Sequence, residues 1–282
     1  MEIITSKLNE NVKYLKGLND KKNRKKFNSY YLEGIKVIDE AITLHMNGAI
    51  NLEFIAYSYD ILSNLNGGTS LLEKINQLKL KENNIKFLEV TKEIMNYITD
   101  TITSQGALVT VKIKAQDIDT SIEKTVDLRK SMVILDGVQD PGNIGTIIRT
   151  CKAFGIKDIV CLNSTADVYS PKVVRSTMGT ILTMNILYIN KEAETQFFEI
   201  LKNNKIQILG TALENSKNIT EFKFEKIKKY AFVLGNEANG MDQSTKNNCD
   251  YLLKIPISNE VESLNVSVAN AIVLYEYFKK LN

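Results

Sequence analysis

Residues 135–155 read LDGVQDPGNIGTIIRTCKAFG. An apolar run, Met132, Val133, Ile134 and Leu135, leads into this stretch and stops at Asp136-Gly137. A polar loop follows, with Asp140-Pro141-Gly142. Beyond it Ile144, Ile147, Ile148, Cys151 and Phe154 recur at helical spacing. The pattern predicts a helix from about Asn143 to Phe154, closed by Gly155, since a left-handed residue usually ends a helix. Strand, loop and helix form the repeating unit of α/β proteins, whose ligands sit at the carboxyl ends of strands. Amides at such a helix start favour anions and other acceptors. Asn143 also reads as a plain helix cap, and Arg149, about two turns along, as a solvated charge. The G-N-I-G spacing is not the G-x-G-x-x-G dinucleotide fingerprint, and no Gly-Lys-Ser/Thr follows to make a P-loop.

The alternation continues towards the C-terminus. Strands are predicted at 132–135, 158–162, 185–189, 207–209, 230–234 and 251–255. Helices are predicted at 143–154, 171–179, 193–203, 242–248 and 263–280. Pro171 after Ser170 is a common helix opening. Strand–helix alternation implies a mostly parallel sheet with helices on both faces. In the last helix Leu264, Val268, Ala271, Ile272 and Tyr275 line one face, while Val266, Val273 and Tyr277 line much of the rest. A helix apolar nearly all round is expected to be buried.

Towards the N-terminus, Leu8, Val12, Leu15 and Leu18 make a helical stripe, followed by the basic run KKNRKK at 21–26 and then residues 27–32. A helix is predicted at 34–46, a strand at 52–57, a turn at Gly67-Gly68 and a helix at 71–81. A strand at 85–90, a short helix at 93–98 capped by Thr91, and a strand at 107–113 complete a small α/β layered domain. Residues 114–130 are polar and lack a period, so they read as a linker. The domains are therefore placed at 1–113 and 131–282.

The 282 residues suffice for two domains with real cores, and 44% hydrophobic with 24% charged residues is a soluble globular profile. No apolar run has the length of a membrane span, and the start lacks a signal-peptide core, so a cytoplasmic protein with no membrane partner is expected. The one histidine, His45, lies in a helical pattern, and Cys151, Cys161 and Cys249 form no C-x-x-C pair. Neither a metal centre nor disulfides are expected. Charge is uneven: in residues 1–30, Lys7, Lys13, Lys16, Lys21, Lys22, Arg24, Lys25 and Lys26 outweigh Glu2, Glu10 and Asp20, although the net charge is only +3. A basic patch on a near-neutral protein suits a phosphate backbone, although a solvated helix end has the same pattern; together with the motifs further along the chain it makes Lys21, Lys22, Arg24, Lys25 and Lys26 candidate RNA contacts.

Two later stretches, FVLGNEANGM at 232–241 and IPISNEVESLNVSVANAIVLYE at 255–276, join the first. Together the three resemble the signature motifs of the SpoU/TrmH-like RNA 2′-O-ribose methyltransferases, within the SPOUT superfamily, over residues 131–281. Arg175-Ser176-x-x-Gly179 also looks like that family. The first domain resembles the L30e-like substrate-binding domain that often precedes it, through Phe27, Glu33-Gly34 and Ser104-Gln105-Gly106. Cys151 stands where alanine is common in that family, and Asn236 where serine or threonine is common; both substitutes are themselves small or polar.

The resemblance implies an α/β domain with a C-terminal trefoil knot, a homodimer through the helix at Asn143 and the last helix, and S-adenosylmethionine as cofactor. It places Leu234, Gly235, Asn236, Glu237 and Gly240 on one wall of the cofactor pocket, and Ile255, Ile257, Ser263, Leu264 and Asn265 on another. It makes Arg149, Asn143, Ser263, Asn265 and Glu237 the catalytic candidates, with Arg149 acting across the dimer. A guanidinium stays protonated near neutral pH and is a poor general base, so Arg149 is expected to hold a phosphate and stabilise charge on the 2′-oxygen. The expected function is 2′-O-methylation of RNA, ribosomal RNA above all. Transfer RNA as substrate, a non-catalytic RNA-binding module on the same fold, and a nucleotide-binding α/β enzyme are the alternatives.

Overall fold

A computed structural model of the chain describes residues 3–99, 101, 103–113, 126–162 and 164–281. Most of the stretch read as a linker, residues 114–125, lies outside the described residues. Contacts divide the chain into two units, Met1–Ala115 with Tyr169–Leu182, and Gln116–Val168 with Thr183–Asn282.

The first unit runs α1 (Glu10–Gly17), α2 (Lys21–Phe27), β1 (Ser29–Glu33), α3 (Ile35–Met46), β2 (Leu52–Tyr57), α4 (Tyr59–Leu62), α5 (Gly68–Lys81), β3 (Lys86–Glu89), α6 (Lys92–Thr99) and β4 (Ala107–Lys112). Its sheet has the order β1-β4-β2-β3. The α1 stripe is shorter than its sequence period suggested. Asn9 caps the helix, its side chain accepting from the Asn11 and Val12 amides, so Leu8 falls outside and is 75% exposed. Val12, Leu15 and Leu18 are wholly buried with Ile94, Met95 and Ile98 of α6 against the sheet. Each such side chain contributes roughly 1.5–3 kcal/mol.

The basic run is itself helical, and it is not uniformly solvated. Lys21, Lys22, Lys25 and Lys26 are exposed. Arg24 turns inward and is buried, donating to the carbonyls of Leu18 at 2.6 Å and Asn19 at 2.7 Å. Read from the sequence as an RNA contact, Arg24 instead satisfies acceptors at the end of α1.

The second unit begins with β5 (Met132–Asp136), α7 (Pro141–Ala153) and β6 (Asp158–Leu162). The chain then passes through α8 (Pro171–Ser176), whose segment groups with the first unit because Val173 and Val174 are buried there and Tyr169 stacks on Tyr30, ring centroids 4.9 Å apart. It continues with β7 (Asn185–Ile189), α9 (Glu194–Asn203), β8 (Ile206–Thr211), β9 (Lys217–Asn218), β10 (Lys229–Gly235), α10 (Gln243–Asn248), β11 (Tyr251–Lys254) and α11 (Val266–Leu281). Among the described residues its seven strands have the order β7-β6-β5-β10-β8-β11-β9, and every strand pair there is parallel. All five residues of β5 and of β6 are buried, as expected of a sheet covered on both faces. Burial pushes the Cys151 thiol up to about 12, so it behaves as an inert core group.

This order positions the site. From β5 the chain builds outward through β6 and β7, then returns so that β10 lies on the other side of β5, with Gly235 in register with Asp136. Two loops therefore leave neighbouring strand ends at a reversal of strand order, where α/β sheets open a crevice. The last helix departs from its expected all-round burial. Val273, Leu274 and Tyr277 are buried, but Val268, Tyr275 and Phe278 stay 47%, 53% and 40% exposed, with Phe154 packed against both aromatic rings.

Candidate active site

The helix that opens the first motif starts earlier than its apolar spacing suggested. Pro141 occupies its first turn and Asp140 caps it, accepting from the Asn143 amide at 2.9 Å. Asn143 is thus not the cap, and its side chain is left for another task. Its Nδ2 donates to Glu237 Oε1 at 3.0 Å, and its Oδ1 accepts from Asn265 Nδ2 at 2.9 Å. Asn265 does cap α11: its Oδ1 accepts from the Ser267 amide at 2.8 Å and the Ser267 hydroxyl at 2.6 Å. The predicted start of that helix at 263 shifts accordingly, and Ser263, Leu264 and Asn265 lie on the preceding loop.

Glu237 fastens two loops together. Besides Asn143, it accepts from the amides of Gln139 at 3.2 Å and Asp140 at 3.1 Å. Partial burial alone would push its carboxyl up, but the hydrogen bonds from Asn143 and the backbone amides outweigh that and hold it below the ordinary carboxylate range. A carboxylate so engaged is an anchor rather than a base. Asn236 builds the same loop from within. Its Nδ2 donates to Gly137 O at 2.8 Å, while its Oδ1 accepts from the Ala238 and Asn239 amides at 2.9 and 3.0 Å. Gly235 has no room for a side chain, because a Cβ there would overlap the backbone of Gly240 and Met241.

Beside this hub lies a cavity of about 740 Å³. The loop after β10 supplies Gly235, Asn236, Glu237, Gly240 and Met241, and the segment after β11 supplies Ile255, Ile257, Ser263, Leu264 and Asn265. Leu234, expected on the wall, faces the core and is wholly buried. Sequence reasoning missed a third wall, from Thr211 at the end of β8 to Asn215, and the lining residues Gln243, Lys246 and Asn247 of α10. The rule that ligands gather at strand carboxyl ends pointed there, since the strand before it was recognised. Asn143 and Arg149 do not line the cavity; Asn143 touches its rim residues, and Arg149 is exposed further along α7.

The residues suit S-adenosylmethionine. The volume lies within the roughly 300–1,000 Å³ of small-molecule pockets. Leu213, Met241, Leu252, Ile255, Ile257 and Leu264 offer apolar surface to a purine, and turns at Gly235 and Gly240 bring backbone amides and carbonyls to its edge. Among the described residues no group of three or more His, Cys, Asp or Glu is placed to hold a metal ion.

A parallel α/β sheet with a pocket built on three strand-end loops is the architecture of a small-molecule-binding α/β protein. Comparison with known proteins narrows this. Residues 130–275, just over half the chain, match the SpoU rRNA methylase family, and residues 9–109 match an MRM3-like substrate-binding domain. The chain belongs to the SpoU rRNA methylase family, whose members are S-adenosylmethionine-dependent RNA 2′-O-methyltransferases. It is 29% identical over 98% of its length, and 98% of the relative's, to the 23S rRNA (guanosine(2553)-2′-O)-methyltransferase RlmP of Bacillus subtilis. An rRNA methyltransferase from Sinorhizobium meliloti has the same fold, with a TM-score of 0.83 and 26% identity over 100% of this chain and 98% of that one. Its AdoMet-bound form superposes with a TM-score of 0.84 at 25% identity over the same shares.

Proposed function

We propose that the protein methylates a ribose 2′-oxygen of ribosomal RNA, working as a cytoplasmic homodimer. The observation that carries this is the hydrogen-bonded chain Glu237–Asn143–Asn265 at the rim of the cavity, which joins all three motif segments. The full-length relative that acts on 23S rRNA supports the choice of ribosomal over transfer RNA. On this reading residues 131–282 are the methyltransferase domain, with the family's knot formed by its C-terminal segment, and residues 1–113 grip the RNA.

When bound, S-adenosylmethionine supplies a methyl group on a positively charged sulfur, open to in-line attack. Gly235, Asn236, Gly240, Ile255, Ile257 and Leu264 hold it. Asn143 and Asn265 keep the rim rigid, and Ser263, exposed on the same loop, meets the ribose hydroxyl. Arg149 does not line the cavity of its own chain, which supports the reading that it serves a partner's. There it holds the neighbouring phosphate and offsets negative charge growing on the 2′-oxygen. The exposed apolar face of Val268, Tyr275 and Phe278 on α11 is the surface a second copy would cover. Lys21, Lys22, Lys25 and Lys26 make phosphate contacts; Arg24 is left out of that set because it is buried.

The test is a map of ribose methylation across total RNA from cells with and without the protein. Loss of a defined methyl in ribosomal RNA supports the reading. Loss confined to transfer RNA moves the substrate, and no loss anywhere overturns it.

A further inference from the structure

Tyr97 lies near the end of α6 with 36% of its surface exposed. Two ammonium groups sit over its ring, Lys7 Nζ at 5.0 Å and Lys16 Nζ at 5.1 Å from the centroid. The buried side of α6 is formed by Ile94, Met95 and Ile98, so Tyr97 takes the outward side. Along the chain this group leads into the lysine patch. Asn19 Nδ2 donates to the carbonyl of Ile98 at 3.0 Å, which pins the turn between α1 and α2 beside Tyr97, and α2 begins at Lys21. The nearby carboxylate, Glu93, is exposed and 3.8 Å from Lys7 Nζ.

Energies indicate what this group can do. An exposed cation–π contact and an exposed ion pair are both weak and readily exchanged for water. A base stacked on an aromatic ring holds more strongly than either. A nucleobase therefore displaces the lysines from the ring, and the displaced ammonium groups reach the phosphates on either side. A duplex interior offers no free base face, so the fitting partner is unpaired RNA.

We infer that Tyr97 is a stacking platform for an unpaired nucleotide of the RNA substrate, with Lys7 and Lys16 taking the flanking phosphates. The inference rests on the RNA reading above and assigns it a specific face of the first unit.

The experiment measures anisotropy of a fluorescein-labelled oligouridylate, and of an RNA duplex of equal length, with the full chain. Tyr97→Leu weakens oligouridylate binding about tenfold, whereas Tyr97→Phe binds as the wild type does. Duplex affinity is unchanged by either substitution. Replacing Lys7 and Lys16 by Gln flattens the salt dependence by roughly one unit of slope, while Tyr97→Leu leaves the slope alone. Binding of S-adenosylmethionine by Tyr97→Leu stays at the wild-type level, which separates lost contact from lost fold. As a second measurement, ultraviolet crosslinking of wild-type protein to oligouridylate maps to Tyr97. Equal oligouridylate affinity for wild type and Tyr97→Leu, an equal loss on the duplex, or a crosslink elsewhere overturns the inference. A wild-type chain that binds neither RNA overturns the RNA reading beneath it as well.

Discussion

Asn143 donates its side-chain amide to Glu237 at 3.0 Å, joining residues 94 positions apart. The same carboxylate takes the Gln139 and Asp140 amides, so three donors depend on one acceptor. Glu237→Ala is expected to weaken S-adenosylmethionine binding about tenfold by calorimetry, since hydrogen bonds to charged groups contribute about 1.5–3 kcal/mol and exposure favours the lower end. Wild-type affinity in that variant would show that the loop holds itself.

The same carboxyl sets a pH dependence. Its folded pKa is lowered, so its stabilising contribution is present above the unfolded value, roughly 4.3, and is lost as pH falls through the folded value. The gap in thermal midpoint between wild type and Glu237→Gln is expected to be constant near neutrality and to close below about pH 4. Melting curves across that range check it; a gap that widens in acid contradicts the assignment.

The proposal that Arg149 acts across a dimer predicts a result that a residue acting within its own chain would not give. Arg149→Ala and Asn265→Ala proteins, each inactive alone, are expected to regain methyl transfer when unfolded together and refolded as a mixture. Each mixed dimer holds one site with both residues intact, so activity returns to about a quarter of wild type. No recovery, with mixed dimers present by mass, means that Arg149 works in cis.

The basic helix contains two kinds of cation, and they should separate experimentally. Neutralising Lys21, Lys22, Lys25 and Lys26 is expected to lower RNA affinity and flatten its salt dependence, leaving the melting temperature nearly unchanged. Arg24→Ala is expected to destabilise the fold by about 2 kcal/mol, because the carbonyls of Leu18 and Asn19 lose a charged donor. Chemical denaturation and RNA titrations at several salt concentrations measure the two effects.

Asp136 is buried at the end of β5, where its Oδ2 accepts from the Asp242 amide at 2.8 Å. Burial raises its pKa; the Asp242 amide works the other way, and the charges of Asp242 and Glu194 add to the rise. A raised folded pKa means that the folded state is favoured at low pH and loses this contribution as pH rises through that value. Asp136→Asn keeps an acceptor without the charge. It is expected to raise the thermal midpoint at pH 7, with the gain shrinking as the wild-type carboxyl becomes protonated in acid. A lower midpoint at every pH would show that the charge itself is needed.

Much of this protein was legible from local pattern. The apolar run before Asp136 and the spacing from Ile144 to Phe154 marked β5 and α7, because period and punctuation depend on near neighbours alone. The same holds for most strands of both units, and the three motif segments pointed to the family and its pocket. Tertiary structure decided which polar side chains meet. Asp140 took the capping role, which left Asn143 to link Glu237 with Asn265, 122 residues further on. Arg24 turned inward among lysines of the same charge, Leu234 went to the core one residue before the cavity wall, and Tyr169–Leu182 packed with the first unit. A side chain's direction within a helix or strand follows from periodicity, but its partner is set by chain segments that arrive from far away. No local spacing encodes a hydrogen bond formed only after β10 has been laid beside β5.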